Sequence, residues 1–156
     1  MLKQNLRSIS AFAPASSANL SVGFDILGFP FATIGDEVTL TFNSSNKITI
    51  SLIDSVSSLP QEPLKNTATF ALISMCKYLN LEIGVEVKIK KGIPLCSGLG
   101  GSAASSVAAI FALNNCLLAP LPKLQLAQFA IEAESLVSVE KHADNVVPSL
   151  WGQLTM

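Results

Sequence analysis

The chain has 156 residues, of which 10 are basic and 11 acidic, giving a formal net charge of −1, and 49% are hydrophobic. That length makes about one domain and buries a real core, while the near-neutral charge, a pI near 5.7 and a single arginine, Arg7, exclude a broad nucleic-acid footprint. Cys76, Cys96 and Cys116 are odd in number, widely spaced and accompanied by one histidine, a pattern of neither a disulfide framework nor a zinc site.

The first ten residues carry Lys3 and Arg7 but no long apolar stretch, so no secretory signal is expected and a reducing cytoplasm is the simplest home. Ile9 to Ala13 reads as a short strand leading into a loop rich in proline, serine and glycine. Residues 38–42 and 47–52 alternate with period two about Asn43-Ser44-Ser45-Asn46, which predicts a hairpin. Residues 54–65 read as loop, and Asn66 or Thr67 is placed to cap a helix running to about Leu79. Val85, Val87 and Ile89 share one face of a strand, opposite Glu86, Lys88 and Lys90. Helices are expected over about 102–118 and 123–138, the second with Pro122 near its first turn.

From Gly92 to Pro122 no residue is charged, and the mean hydropathy of +0.49 raises the question of a membrane span. The run contains Ser102, Ser105, Ser106, Asn114 and Asn115 and ends at Pro120 and Pro122, so a buried core helix is expected and no membrane association. Strands first, then a strand between helices, suggest an α+β fold: a mixed, mainly antiparallel sheet with helices packed on one face.

Pro94-Leu95-Cys96-Ser97-Gly98-Leu99-Gly100-Gly101-Ser102-Ala103-Ala104 lies between the strand at 84–90 and the uncharged helix. Glycines there permit turns closed to other residues and close approach of an anion to the amides, and the helix behind aims its open N–H groups at that anion. The motif is not a Walker A loop, because Gly101 is followed by Ser102-Ala103 and not by Lys-Ser or Lys-Thr, and its glycines do not fit Gly-x-Gly-x-x-Gly. A tight strand-to-helix turn without a ligand stays open as the reading of this loop alone.

Two further segments join it: Ala13-Pro14-Ala15-Ser16-Ser17-Ala18-Asn19-Leu20-Ser21-Val22-Gly23-Phe24-Asp25, read as a loop, and Glu134 with His142-Ala143-Asp144-Asn145-Val146-Val147-Pro148. Together the three resemble the GHMP kinase superfamily and, within it, the homoserine kinase family, from about Phe12 to Gly152. The resemblance implies the superfamily's N-terminal domain, of the ribosomal protein S5 domain 2-like fold, over 1–156. Family members run to roughly twice this length, so the C-terminal half is expected to lie outside this sequence, and the chain alone to be a poor or inactive kinase that forms homodimers or self-associates.

By the same resemblance, ATP phosphates would lie along Pro94 to Ala104, with Mg2+ held by the Ser102 hydroxyl and Glu134, and Asn66 and Lys91 beside the base. Asn19, Asp25 and Asp144 would line the site for L-homoserine, and His142, Asp144 and Asn145 would stand beside its hydroxyl, positioning it without a dedicated base. Three positions depart from the family pattern: Gly101 replaces a usual serine, Cys96 a frequent glycine and Ser21 a common glycine. Another small-molecule kinase of the superfamily, or a nucleotide-binding fragment without activity, are the competing readings.

Overall fold

The computed structural model describes residues 2–20, 23–55, 59–137 and 143–155, with the side chains of 19–20 and 23–26 outside that description. In chain order the elements are β1 (Ser8–Leu20), β2 (Gly23–Asn43), β3 (Ile48–Asp54), α1 (Thr67–Tyr78), β4 (Gly84–Lys90), α2 (Gly101–Cys116), α3 (Lys123–Glu134) and α4 (Val146–Trp151). The strands form one sheet in the order β1-β2-β4-β3, antiparallel except for the parallel β3–β4 pair. This is the α+β architecture that the order of elements suggests.

Within the sheet, the structure differs from the sequence reading at two places. The strands on either side of Asn43-Ser44-Ser45-Asn46 do not pair with each other, because β4 is inserted between them, bonding β2 on one edge and β3 on the other. Asn43 still organises the turn, accepting from Ser45 N at 2.9 Å and Ser45 Oγ at 2.6 Å. The proline- and serine-rich segment after Ala13 is also not a loop. It continues β1 against β2 as a long ribbon, with register shifts at Pro14/Ala15 and Ala18/Leu20, and Pro14 is tolerated because β1 is the edge strand.

One face of the sheet carries Ala11, Ala13, Val38, Leu40, Val85, Val87 and Ile89, all buried, against α1 and α2. The other face is polar, with Ser10 and Thr39 hydroxyls bonded across strands at 2.7 Å. Helix α2 runs through the centre: twelve of its sixteen residues are buried, which explains why it shows no polar stripe. Its small residues let the sheet and neighbouring helices approach, and its buried polar groups find partners. Ser106 donates to Ala103 O, and Asn114 brackets the turn to α3 by accepting from Leu121 N and donating to Leu121 O. Among the described residues no helix is long and apolar enough to cross a membrane.

Candidate active site

The segment between β4 and α2 forms one wall of a cleft of about 580 Å³. The opposite side is built by Leu59, Pro60 and the start of α1 at Asn66 and Thr67, so the N-termini of two helices open into one space. They differ in one respect. Asn66 caps α1 itself, accepting from Ala68 N at 3.1 Å, whereas the cap position of α2 is Gly100, which has no side chain to offer and leaves the first-turn amides open. Among the described residues, Lys65 and Lys91 are the charged members of the cleft lining, with no carboxylate beside them in it. The open amides at the start of α2 favour an anion there.

The loop is shaped by left-handed backbone at Cys96, Gly98 and Gly100. At Gly100 the requirement is double: φ is +64, and a Cβ would stand 2.6 Å from Ser16 Oγ and 2.7 Å from Asn145 Oδ1. At this point the three sequence segments meet. Ser16 N donates to Leu99 O at 3.1 Å, and Ser16 Oγ is 3.0 Å from both Asn145 O and Asn145 Oδ1. Asn145 also precedes α4, and its Nδ2 reaches Asp144 Oδ1 at 3.4 Å.

At the first turn of α2, Ser102 Oγ donates to Glu134 Oε2 at 2.8 Å, joining the start of α2 to the end of α3. A hydroxyl and a carboxylate oxygen side by side are the hard-oxygen pair that magnesium prefers, so the donor set fits the ion that the resemblance implies. Thr67 Oγ1 donates to Ser102 O at 3.3 Å and ties the two helix starts together.

Asn66 and Lys91 both line the cleft, but their polar atoms are engaged within the protein. Asn66 Nδ2 donates to Pro60 O at 3.1 Å, so this side chain fixes the cleft wall as well as the helix cap. Lys91 Nζ is ion-paired to Asp36 and donates to Gly101 O at 2.8 Å and Ser105 Oγ at 2.9 Å. Exposed Lys65 pairs with Glu62 at 2.7 Å, and that hydrogen bond and charge raise its pKa above the ordinary lysine value. The side chains of Asn19 and Asp25, and His142 altogether, lie outside the described residues.

Sequence reasoning missed Asp36, Ser105 and Ser16. Asp36, in Gly-Asp-Glu at the start of an alternating strand, looks like any surface acid, yet it is fully buried. Ser105 follows Gly101 by four residues, and that helical spacing was the available signal that it shares the face of the helix start.

The family model for the GHMP kinases N-terminal domain matches residues 66–153, which include most of the cleft lining, the glycine loop and α4. This chain belongs to the GHMP kinase family. A homoserine kinase of Xylella fastidiosa is 45% identical over 147 residues, covering 94% of this chain and 46% of that protein. The crystal structure of a homoserine kinase from Cytophaga hutchinsonii superposes with a TM-score of 0.92 at 39% identity, over 99% of this chain and 49% of that one. A mevalonate kinase from methicillin-resistant Staphylococcus aureus matches with a TM-score of 0.70 at 20% identity, covering 96% of this chain and 52% of that one, a likeness of fold. The chain thus spans about half the length of the relatives it matches.

Proposed function

We propose that this chain is the nucleotide-binding part of a homoserine kinase, transferring the γ-phosphoryl group of ATP to the hydroxyl of L-homoserine to give O-phospho-L-homoserine. The observation that carries the reading is the uncapped start of α2 behind the glycine loop, open to the cleft beside the Ser102–Glu134 oxygen pair. In the reaction the homoserine oxygen bonds to the γ-phosphorus, the bond to the ADP oxygen breaks and the hydroxyl proton leaves. Such transfer passes through a loose transition state, so alignment and charge stabilisation supply most of the catalysis.

In this reading the amides from 95 to 102 hold the phosphates, and the apolar lining from Leu59, Pro60, Ile89 and Val137 receives the base. Ser102 and Glu134 would hold magnesium, which when bound neutralises charge on the phosphates. Asp144 and Asn145, fixed through Ser16 to the start of α2, orient the substrate hydroxyl, and His142, Asn19 and Asp25 complete the amino-acid site. A second domain completes that site and closes it against water. The chain alone therefore binds nucleotide and turns over poorly, since loss of alignment forfeits several kcal/mol, on the order of 7 to 11 in favourable cases.

The test is ADP release with homoserine, mevalonate, galactose and shikimate, by this chain alone and by a version carrying the family's second half. Homoserine preference in the longer version and weak turnover by the chain are expected. Preference for another alcohol would sink the substrate assignment and leave the family intact.

A further inference from the structure

We propose that Asp36 is the positioning residue of the glycine loop: its buried carboxylate fixes the loop's entry and, through Lys91, the start of α2. This deepens the reading of the loop as the phosphate site and rests on it. The pairing of β2 with β4 ends at Glu37 and Lys90. Past Lys90 the chain keeps a partner on the β3 side, Lys91 N donating to Asp54 O at 2.9 Å, while on the β2 side the Asp36 side chain takes the place of a ladder partner. Its Oδ1 accepts from Gly92 N at 3.0 Å and Ile93 N at 3.2 Å, while Oδ2 accepts from Ser105 Oγ at 2.6 Å and is ion-paired to Lys91.

The four donors come from the strand end, the loop entry and the second turn of α2, so one side chain sets the angle between all three. Lys91 extends the network to Gly101 O, at the first residue of the helix whose amides face the cleft. Gly92 permits the geometry, since a Cβ there would stand 2.1 Å from Gly35 O, adjacent to Asp36 in sequence. Neither Asp36 nor the Lys91 ammonium is presented to solvent: their side chains are 0% and 5% exposed. A carboxylate with four donors in this setting is rigid, and its rigidity is passed to the loop.

The test is amide hydrogen exchange of the ligand-free chain, wild type against Asp36→Asn, followed by titration of both with Mg-ATP. Exchange across 92–102 is expected to accelerate at least about tenfold while α3 keeps its protection, and Mg-ATP affinity to fall by about tenfold or more. Uniform acceleration through α1, α3 and the loop, or wild-type protection of the loop, overturns the proposal. Asp36→Asn strands a buried ammonium and is prone to unfolding, so Asp36→Asn with Lys91→Met, which removes both charges, is measured alongside. Selective loosening of 92–102 is expected there too, and failure of this neutral pair to fold would assign Asp36 to the fold as a whole and overturn its role at the loop. If wild type binds no Mg-ATP, the nucleotide reading fails, yet the exchange comparison still decides what Asp36 does to the loop.

Discussion

Ser16 and Asn145, 129 residues apart, are joined by a hydroxyl that lies 3.0 Å from two oxygens of the asparagine, in space left by the missing side chain of Gly100. The pair locks β1, the glycine loop and the start of α4 into one corner. An added methyl group at residue 100 must push both partners away from a bond they already make. Gly98 offers the control, because its φ is also positive, at +72, but a Cβ there would meet nothing within 4 Å. Gly98→Ala is expected to lose about 1–2 kcal/mol for left-handed backbone alone. Gly100→Ala is expected to lose clearly more and to weaken ATP binding. Urea melts and calorimetry of the two variants side by side check this; equal losses would show that the corner is soft.

The Ser102–Glu134 pair separates charge from shape. Glu134→Gln keeps an acceptor for the Ser102 hydroxyl, so thermal stability is expected to change by no more than about 1 kcal/mol. It removes the negative charge that suits a divalent cation, and the magnesium-dependent gain in ATP affinity is expected to fall at least about tenfold, near 1.4 kcal/mol. Ser102→Ala loses an oxygen ligand and is expected to lower the same gain. Titrating ATP with magnesium and then with a chelator measures it. A gain unchanged in both variants would place the metal elsewhere.

The residues that alternate and the residues that cap were legible in the sequence. Val85, Val87 and Ile89 mark β4, and Asn66 caps α1 as its position suggested. What alternation does not encode is the neighbour. A strand buried on one face pairs equally well with the strand before it or with one that arrives 30 residues later, so the apparent hairpin at Asn43–Asn46 opened to admit β4. The ribbon after Ala13 was obscured by its prolines and glycines, which sit at bulges and on an edge. The glycine loop and Glu134 were visible as motifs, whereas Asp36 was not, because its role depends on where β2 stops pairing and β4 lets go. That is a property of the assembled sheet.

Cys96 occupies a backbone position with φ +57 in the middle of the loop, where a side chain is strained. Cys96→Gly relieves about 1–2 kcal/mol of left-handed strain and gives back about 0.5–1 kcal/mol to the freer unfolded chain. The net expectation is a melting temperature raised by up to about 4 °C. Cys96 is also the exposed member of the three thiols, the other two being buried, and it lines the cleft. In wild type a thiol reagent is expected to modify Cys96 first, and saturating Mg-ATP to slow that reaction. Peptide mapping of the modified chain checks both; indifference to nucleotide would argue against phosphates lying along the loop.

Cys76 gives the chain a pH dependence that is independent of the site. Burial on the inner face of α1 pushes its thiol from the ordinary 9.0 up to about 12, because the thiolate would lose its hydration there. The folded pKa lies above the unfolded one, so the stability associated with the neutral thiol is fully present below about pH 9. It drains as pH rises toward about 12, while the unfolded chain already ionises. The limiting slope for one such group is about 1.4 kcal/mol per pH unit. The difference between wild type and Cys76→Ala cancels the contributions of all other groups to first order. Urea unfolding of both proteins from about pH 8 to about 11 should therefore show wild type losing stability faster than the variant. Parallel pH profiles would mean that the thiol at 76 ionises in the folded protein as readily as in the unfolded one, and that the packing of α1 over the sheet leaves it open to water.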